Sequence, residues 1–418
     1  VGTCNTTCRP DIFPGNTGLK PGESAVFSVW VFSATDVPIT WTIKEGSSGG
    51  TISGAGVYTA PSVEGIYHLT ASSTANPSQT STVTIVVTNT QFTPVAELIT
   101  PRFDHTASLL PNGQVFIAGG IVRDYWDRNS DLYAVTAELY DPVGTIHASV
   151  QVSRYEHSAT VLANGDVLLA GGGNDTQDAL ITADLFKAAT GTIQPTGSMN
   201  TPRIGHTATL LLDGRVLLAG GGGIDEKAIR SAELYDPASG KFSPAGDMTA
   251  LRSGHSAALL PNGKVLIAGG GAAGADLYDP ATNAFSWVPG VSTNRCQTTA
   301  APLADGRVLI SGGVDCSNTV LDTAEIYDPA TGESTPTGKL LAPQYGGTAT
   351  RLPDGRVLLV GGNANPYLSQ IYNPATGSFA FGPHPKAPLW GGHTATLLLD
   401  GSVLLVGEDD GTTAVLFK

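Results

Sequence analysis

Long apolar runs are missing from this 418-residue chain, and with them any segment able to cross a bilayer as a helix. Positive charge is scarce: Lys+Arg number 22 against 36 Asp+Glu, a formal net charge of −14. An acidic surface repels nucleic acid and anionic lipid, so neither is an expected partner. Lysine is sparse, serine and threonine are frequent, and the chain begins at Val1 with no initiator methionine and no signal-peptide pattern. That beginning reads as a mature, processed chain, and the composition fits an exported one, secreted, extracellular or at a cell surface. Cysteine is limited to four residues, which allow three pairings. The local pairing Cys4–Cys8 and Cys296–Cys316 is the expected one; free thiols are the alternative. Two isolated cysteine pairs without histidine at ligand spacing do not make a zinc site, and no metal or cofactor is expected.

What is abundant is glycine, 52 residues, and its placement is periodic. A Gly-Gly pair recurs at Gly119-Gly120, Gly171-Gly172, Gly220-Gly221, Gly269-Gly270, Gly312-Gly313 and Gly361-Gly362, with a worn copy at Gly407-Glu408. The first three spacings are 52, 49 and 49 residues, a blade-sized period rather than a helical-repeat one. One clean copy reads RIGHTATLLLDGRVLLAGG (Arg203–Gly221), then a variable loop, then SAELYDPASGKFSPAG (Ser231–Gly246). Asp213-Gly214 is a turn pair that tolerates positive φ, and seven copies of that turn are present. Strands as apolar as VLLAGG must be covered on both faces. The recurring Tyr140, Tyr235, Tyr278, Tyr327 and Tyr372, with Phe186 and Phe417 as variants, supply an aromatic for packing between repeats, followed by an Asp-Pro turn.

Residues 10–88 read differently. Short period-two segments such as SAVFSVWVF, ITWTIKEG and STVTIVVT, broken by Gly, Pro, Asn and Ser, indicate a β-sandwich.

Pro21-Gly22, Trp41 in ITWTI, GTISGAGVYTAP (Gly50–Pro61) and the last strand TVTIVVT resemble bacterial immunoglobulin-like domains. That resemblance implies Trp41 as the core tryptophan, with Tyr58 beside it. The glycine pair followed by a spaced Tyr-Asp-Pro resembles Kelch repeats, over about 330 residues. The expected fold is therefore all-β: an N-terminal extension (1–9), an immunoglobulin-like β-sandwich (10–88) and a seven-bladed Kelch-type β-propeller (91–418). The last repeat stops at its third strand, AVLFK (Ala414–Lys418), and QFTPVAELITPR (Gln91–Arg102) aligns with fourth strands. An N-terminal outer strand is expected to close the ring, which also removes a free edge.

Candidates for chemistry are mostly repeated, which argues for architecture. His105, His157, His206, His255 and His393 share one repeat position, held by Thr298 and Gly347 in the other copies. A metal-binding ring is the functional alternative, but blade spacing is too wide for ligand distances of roughly 2 Å. Arg102, Arg154, Arg203, Arg252 and Arg295 precede this position by three residues, while Glu138, Asp184, Glu233, Asp276 and Glu325 recur further on. These read as ion pairs. The acidic loops at 173–178, 223–227 and 408–411 lack a calcium-loop spacing.

LPDGRVLLVGG also resembles blades of galactose oxidase and glyoxal oxidase. Those enzymes need a copper site of two tyrosines, one cross-linked to cysteine, and two histidines, one of them from a further C-terminal domain. This sequence ends at its last repeat, so a copper oxidase is not expected. What is not repeated is the loop IVRDYWDRNSDLYAVT (Ile121–Thr136), where Tyr125, Trp126, Asp127 and Tyr133 are candidates to bind a sugar ring or a protein. Val1, Gly2, Thr3, Asn5 and Thr6 precede the sandwich and are not needed to complete it. A strand added to a neighbour's sheet edge builds head-to-tail polymers. The expectation is a non-enzymatic structural or adhesive protein that self-assembles into a fibre or matrix, partnered by its own kind or other surface proteins. The alternatives are a carbohydrate- or protein-binding module and a secreted propeller enzyme with an unrecognised site.

Overall fold

The computed structural model describes residues 10–13, 17–31, 38–74, 77–89, 92–122, 132–133, 136–225, 227–289, 291, 294–315, 317–385, 387–408 and 412–418. Among these the fold is all-β, with no α-helix and a single 3-10 turn at Gly46–Gly49. The chain divides into two compact bodies: one ends at Phe92 and includes Asn365–Gln370 and Phe381–Pro388, and the other comprises Thr93–Ala364, Ile371–Ala380 and Leu389–Lys418.

In the first body a four-stranded sheet runs in the order Thr17–Leu19, Thr80–Val87, Gly65–Ser73, Ile39–Ile43, its first pair parallel. Ser24–Val26, Val57–Thr59 and Thr51–Ile52 form a second sheet, and Pro10–Phe13 pairs with Ser28–Val31. Alternation read in the sequence becomes alternation of burial: Tyr67, Leu69, Ala71 and Ser73 turn inward along one strand. Tyr58 and Phe27 are the fully buried aromatics; the Tyr58 hydroxyl donates to the Gly49 carbonyl at 2.6 Å and its ring meets Phe27 edge-on at 6.1 Å. Trp41 is only partly buried and packs against this core. The expectation of a core tryptophan at Trp41 is corrected: Tyr58 occupies the centre because its one polar atom finds a carbonyl there.

The second body is built on one antiparallel pattern. In one sheet Thr207–Leu210, Val216–Ala219, Ile229–Asp236 and Lys241–Arg252 lie in sequence order. Sheets of the same order begin at Thr106–Leu109, Ser158–Val161, His255–Leu259, Thr299–Pro302 and Thr348–Arg351. A further sheet has the order Thr93–Glu97, Thr413–Phe417, Val403–Glu408, Thr394–Leu397, so its fourth strand comes from far earlier in the chain. Second strands such as Val115–Ala118, Val216–Ala219 and Val357–Val360 are buried at every residue. The turn between first and second strands is a three-residue loop. Leu211 N donates to Arg215 O at 2.8 Å, Gly214 takes φ 87°, and the Asp213 carboxylate accepts from Arg215 N at 3.0 Å. Only the glycine is left-handed there, so the aspartate serves as a hydrogen-bond acceptor.

The glycine pair joins one sheet to the next. Gly120 N donates to Arg154 O at 2.8 Å, Gly172 N to Arg203 O at 2.8 Å and Gly221 N to Arg252 O at 3.0 Å. A Cβ on Gly119 would lie 2.1 Å from Arg154 O, so only glycine permits this approach. An arginine just ahead of a sheet's first strand completes the unit. Arg252 Nη1 donates to Gly269 O at 2.6 Å while its Nε donates to Asp276 Oδ2 at 2.7 Å. Arg203–Glu233 (3.2 Å), Arg295–Glu325 (2.7 Å), Arg102–Glu138 and Arg154–Asp184 repeat the pairing. Gln344 takes the arginine's place once, donating to Gly361 O at 2.5 Å. The arginine is thus the donor that satisfies a carbonyl exposed by the glycine turn, and the carboxylate balances its buried charge.

Candidate active site

The residue just before each repeated histidine position has a left-handed backbone in every four-stranded sheet of the second body: Asp104 (φ 53°), Glu156 (48°), Gly205 (59°), Gly254 (64°), Gln297 (50°), Gly346 (66°) and Gly392 (93°). Four copies use glycine, for which this costs nothing sterically. Asp104, Glu156 and Gln297 hold a side chain there against a backbone cost on the order of 1 kcal/mol each. They are held by a belt of main-chain bonds. Asp104 N donates to Gly392 O (3.0 Å), Glu156 N to Asp104 O (3.0 Å) and Gly205 N to Glu156 O (3.0 Å); Gln297 N donates to Gly254 O (2.8 Å) and Gly346 N to Gln297 O (3.1 Å).

A cavity of about 260 Å³ opens at this belt, lined by Asp104 and Glu156 together with His105, His157, His206, His255 and His393. Each histidine reaches back to the preceding sheet. Nε2 of His105 meets Thr394 Oγ1 (2.9 Å), His157 meets Thr106 (2.9 Å), His206 meets Ser158 (2.9 Å), His255 meets Thr207 (2.8 Å) and His393 meets Thr348 (3.1 Å). His393 Nδ1 donates to Trp390 O at 2.7 Å, which makes its Nε2 the acceptor of the hydroxyl. In His157, His206 and His255 the Nδ1 atom is buried without a hydrogen-bond partner. The carbonyl three residues earlier is occupied there by a glycine N–H of the preceding sheet, whereas in the last sheet Gly362 N bonds Leu389 O and leaves Trp390 O available.

Burial, reinforced by the neighbouring arginines, depresses these imidazoles: His157 and His206 to about 3, His255 to about 4, and His105 well below its usual value. Burial lowers His393 as well. At neutral pH all five are uncharged and act as spacers between sheets, so the protonatable groups of the cavity are the two carboxylates. Among the described residues no three His, Cys, Asp or Glu side chains are grouped to hold a metal ion.

The residues singled out from the sequence lie elsewhere. Tyr125, Trp126 and Asp127 fall outside the described residues, as do Val1, Gly2, Thr3, Asn5 and Thr6. Tyr133 lies in the strand Leu132–Tyr133, its backbone paired with Ile121. Cys4, Cys8 and Cys316 are also outside the described residues, so both expected disulfides involve undescribed positions; Cys296 pairs through its backbone with Val314. Asp104, Glu156 and Gln297 were missed. The signal that marks them is a polar residue at a position the other copies give to glycine.

No protein-family model and no curated protein matches this chain. Among solved structures it is similar to a novel fungal alcohol oxidase of the AA5 family, in complex with copper. The two are 17% identical with a TM-score of 0.64, over 78% of this chain and 76% of that chain. The shared property is the fold, all-β and propeller-like. This match corrects the resemblance to Kelch-repeat proteins with a bacterial immunoglobulin-like domain, since the likeness lies with a copper oxidase fold. It also overturns the expectation of a non-enzymatic, self-assembling fibre or matrix protein, because the fold it shares is that of an enzyme.

Proposed function

We propose that the chain is an extracellular enzyme of propeller fold, acting on a small hydroxyl-bearing substrate in the cavity at Asp104 and Glu156. The observation that carries this is the strain. Two sheets place a carboxylate-bearing residue in a left-handed backbone where four others have glycine, and strain of this kind concentrates at functional sites. The enzyme fold of the similar structure and its alcohol substrate supply the class. In this reading one carboxylate accepts a proton from a water that forms the new C–O bond at a glycosidic carbon, while the other donates a proton to the oxygen that leaves as that C–O bond breaks, chemistry of the hydrolase type. The neutral histidines hold the two carboxylate-bearing turns in register.

A copper-dependent oxidation of the kind named for the fungal protein is not part of this proposal. The five histidine Nε2 atoms at the belt are engaged with hydroxyls of the neighbouring sheet. We also read the second body as a seven-bladed ring, residues 91–418, closed by Thr93–Glu97, preceded by a β-sandwich over 10–88. Support comes from links that go all the way round: His105 to Thr394, His157 to Thr106, His206 to Ser158, His255 to Thr207, Ser256 to Thr298, Gly346 to Gln297 and His393 to Thr348.

The test is turnover of a panel of polyols, glycosides and uronic acids by the wild-type protein and by Asp104→Asn and Glu156→Gln. A loss of roughly 10²–10⁴-fold in kcat in either variant, with the fold intact, is expected of a proton-transfer group. Wild-type turnover in both variants sinks the proposal.

A further inference from the structure

A second, larger cavity of about 410 Å³ shares no lining residue with the first and meets the main-chain belt at Gln297; it is lined by Cys296, Gln297, Val314, Asp315, Asn318 and Tyr345 among others. We propose that it binds a small organic ammonium ion. The described lining contains one carboxylate, one phenol ring, two amides, one thiol and two valines, and no lysine, arginine or histidine. An aromatic face attracts a cation electrostatically, and a nearby carboxylate supplies the counter-charge. The valines keep part of the space apolar, which favours an alkylated ammonium over a hydrated metal ion. The overall charge of −14 raises the local concentration of cations.

The walls are built in advance of any ligand. Cys296 and Val314 exchange backbone bonds of 2.8 and 2.9 Å, and Val314 also pairs with Val320. Asp315 N donates to Thr319 O at 3.0 Å, and Asp315 Oδ1 accepts from Ser317 N (2.8 Å) and Thr319 N (2.9 Å). The carboxylate is therefore oriented by its own loop. Gln297, also in the lining, keeps its side chain at φ 50° where glycine would relieve the backbone. This inference stands whether or not Asp104 and Glu156 carry a reaction, because it concerns different side chains and is read by binding alone.

The experiment is calorimetric titration of the full chain with choline and with 3,3-dimethylbutan-1-ol, its uncharged isostere. The wild-type protein is expected to prefer choline by about tenfold or more. Asp315→Asn keeps the oxygen that holds the loop and removes the charge, so it is expected to erase the preference. Tyr345→Phe retains it and Tyr345→Leu loses it, which decides the matter independently should the Asp315 variant fold poorly. Equal binding of the two probes by the wild-type protein, or no saturation by either, overturns the proposal. So does a choline preference that survives both Asp315→Asn and Tyr345→Leu.

Discussion

Nε2 of His157 lies 2.9 Å from the hydroxyl of Thr106 in the preceding sheet, with the imidazole buried and held neutral. The same contact recurs at four other histidines, so this side chain is a cross-link between sheets. Its sequence repetition reflects that duty.

The neutrality has a consequence for pH. His157 and His206 titrate near 3, and His255 near 4, in the folded protein, against 6.5 for the free side chain. Between those values the unfolded chain binds more protons than the folded one, so stability falls as pH drops. It is complete above about 6.5 and is lost progressively toward 3. Thermal unfolding followed from pH 7 to pH 4 should show a steep fall in Tm. His206→Gln should flatten it, by up to about 1.4 kcal/mol per pH unit. A Tm independent of pH over that range would contradict the burial of these rings.

The belt predicts a trade between stability and activity. Glu156→Gly gives the backbone the residue that Gly205 and Gly254 already provide at φ 59° and 64°. It should leave stability unchanged or raise it by about 1 kcal/mol, as measured by urea denaturation. Turnover should be lost in the same variant. A destabilised Glu156→Gly would mean that the glutamate is there for packing.

Arg252 and Asp276 are both fully buried, with Nε 2.7 Å from Oδ2. Removing one charge strands the other, so Asp276→Ala should cost about 3–5 kcal/mol. Gln344 makes the equivalent bond to Gly361 O without a charge. Arg252→Gln combined with Asp276→Gln should therefore recover much of the loss. Denaturation midpoints of the single and double variants measure this directly.

Glycine at positive φ is not equally irreplaceable everywhere. Gly119→Ala would place a Cβ 2.1 Å from Arg154 O, whereas Gly191, at φ 66°, has nothing within 4 Å. The first change should cost more than about 3 kcal/mol and the second about 1–2. Similar Tm losses in the two variants would remove the close approach of sheets as the reason for the pair.

Much of this architecture was legible because it is local. Hydrophobic runs, turn glycines and a period near 49 residues are properties of neighbouring residues, and they suffice to place the strands of the second body. Their very generality misled the family reading. Gly119-Gly120 and Tyr140 serve the packing of any such sheets, so they mark a fold and carry no chemistry. The same holds for Trp41, whose type suggests a core but whose indole finds no buried acceptor equivalent to the Gly49 carbonyl that receives Tyr58.

The sequence by itself determined the strands, their burial and the ion pairs, since each follows from spacing within one repeat. Only the tertiary structure decided which side chains share a cavity. Asp104 and Glu156 come from successive sheets whose turns meet through a main-chain bond of 3.0 Å. Their left-handed φ is invisible in composition, because the same residues are ordinary in a loop. Long-range closure brings them together, and closure depends on packing between sheets rather than on the order of residues within any one of them.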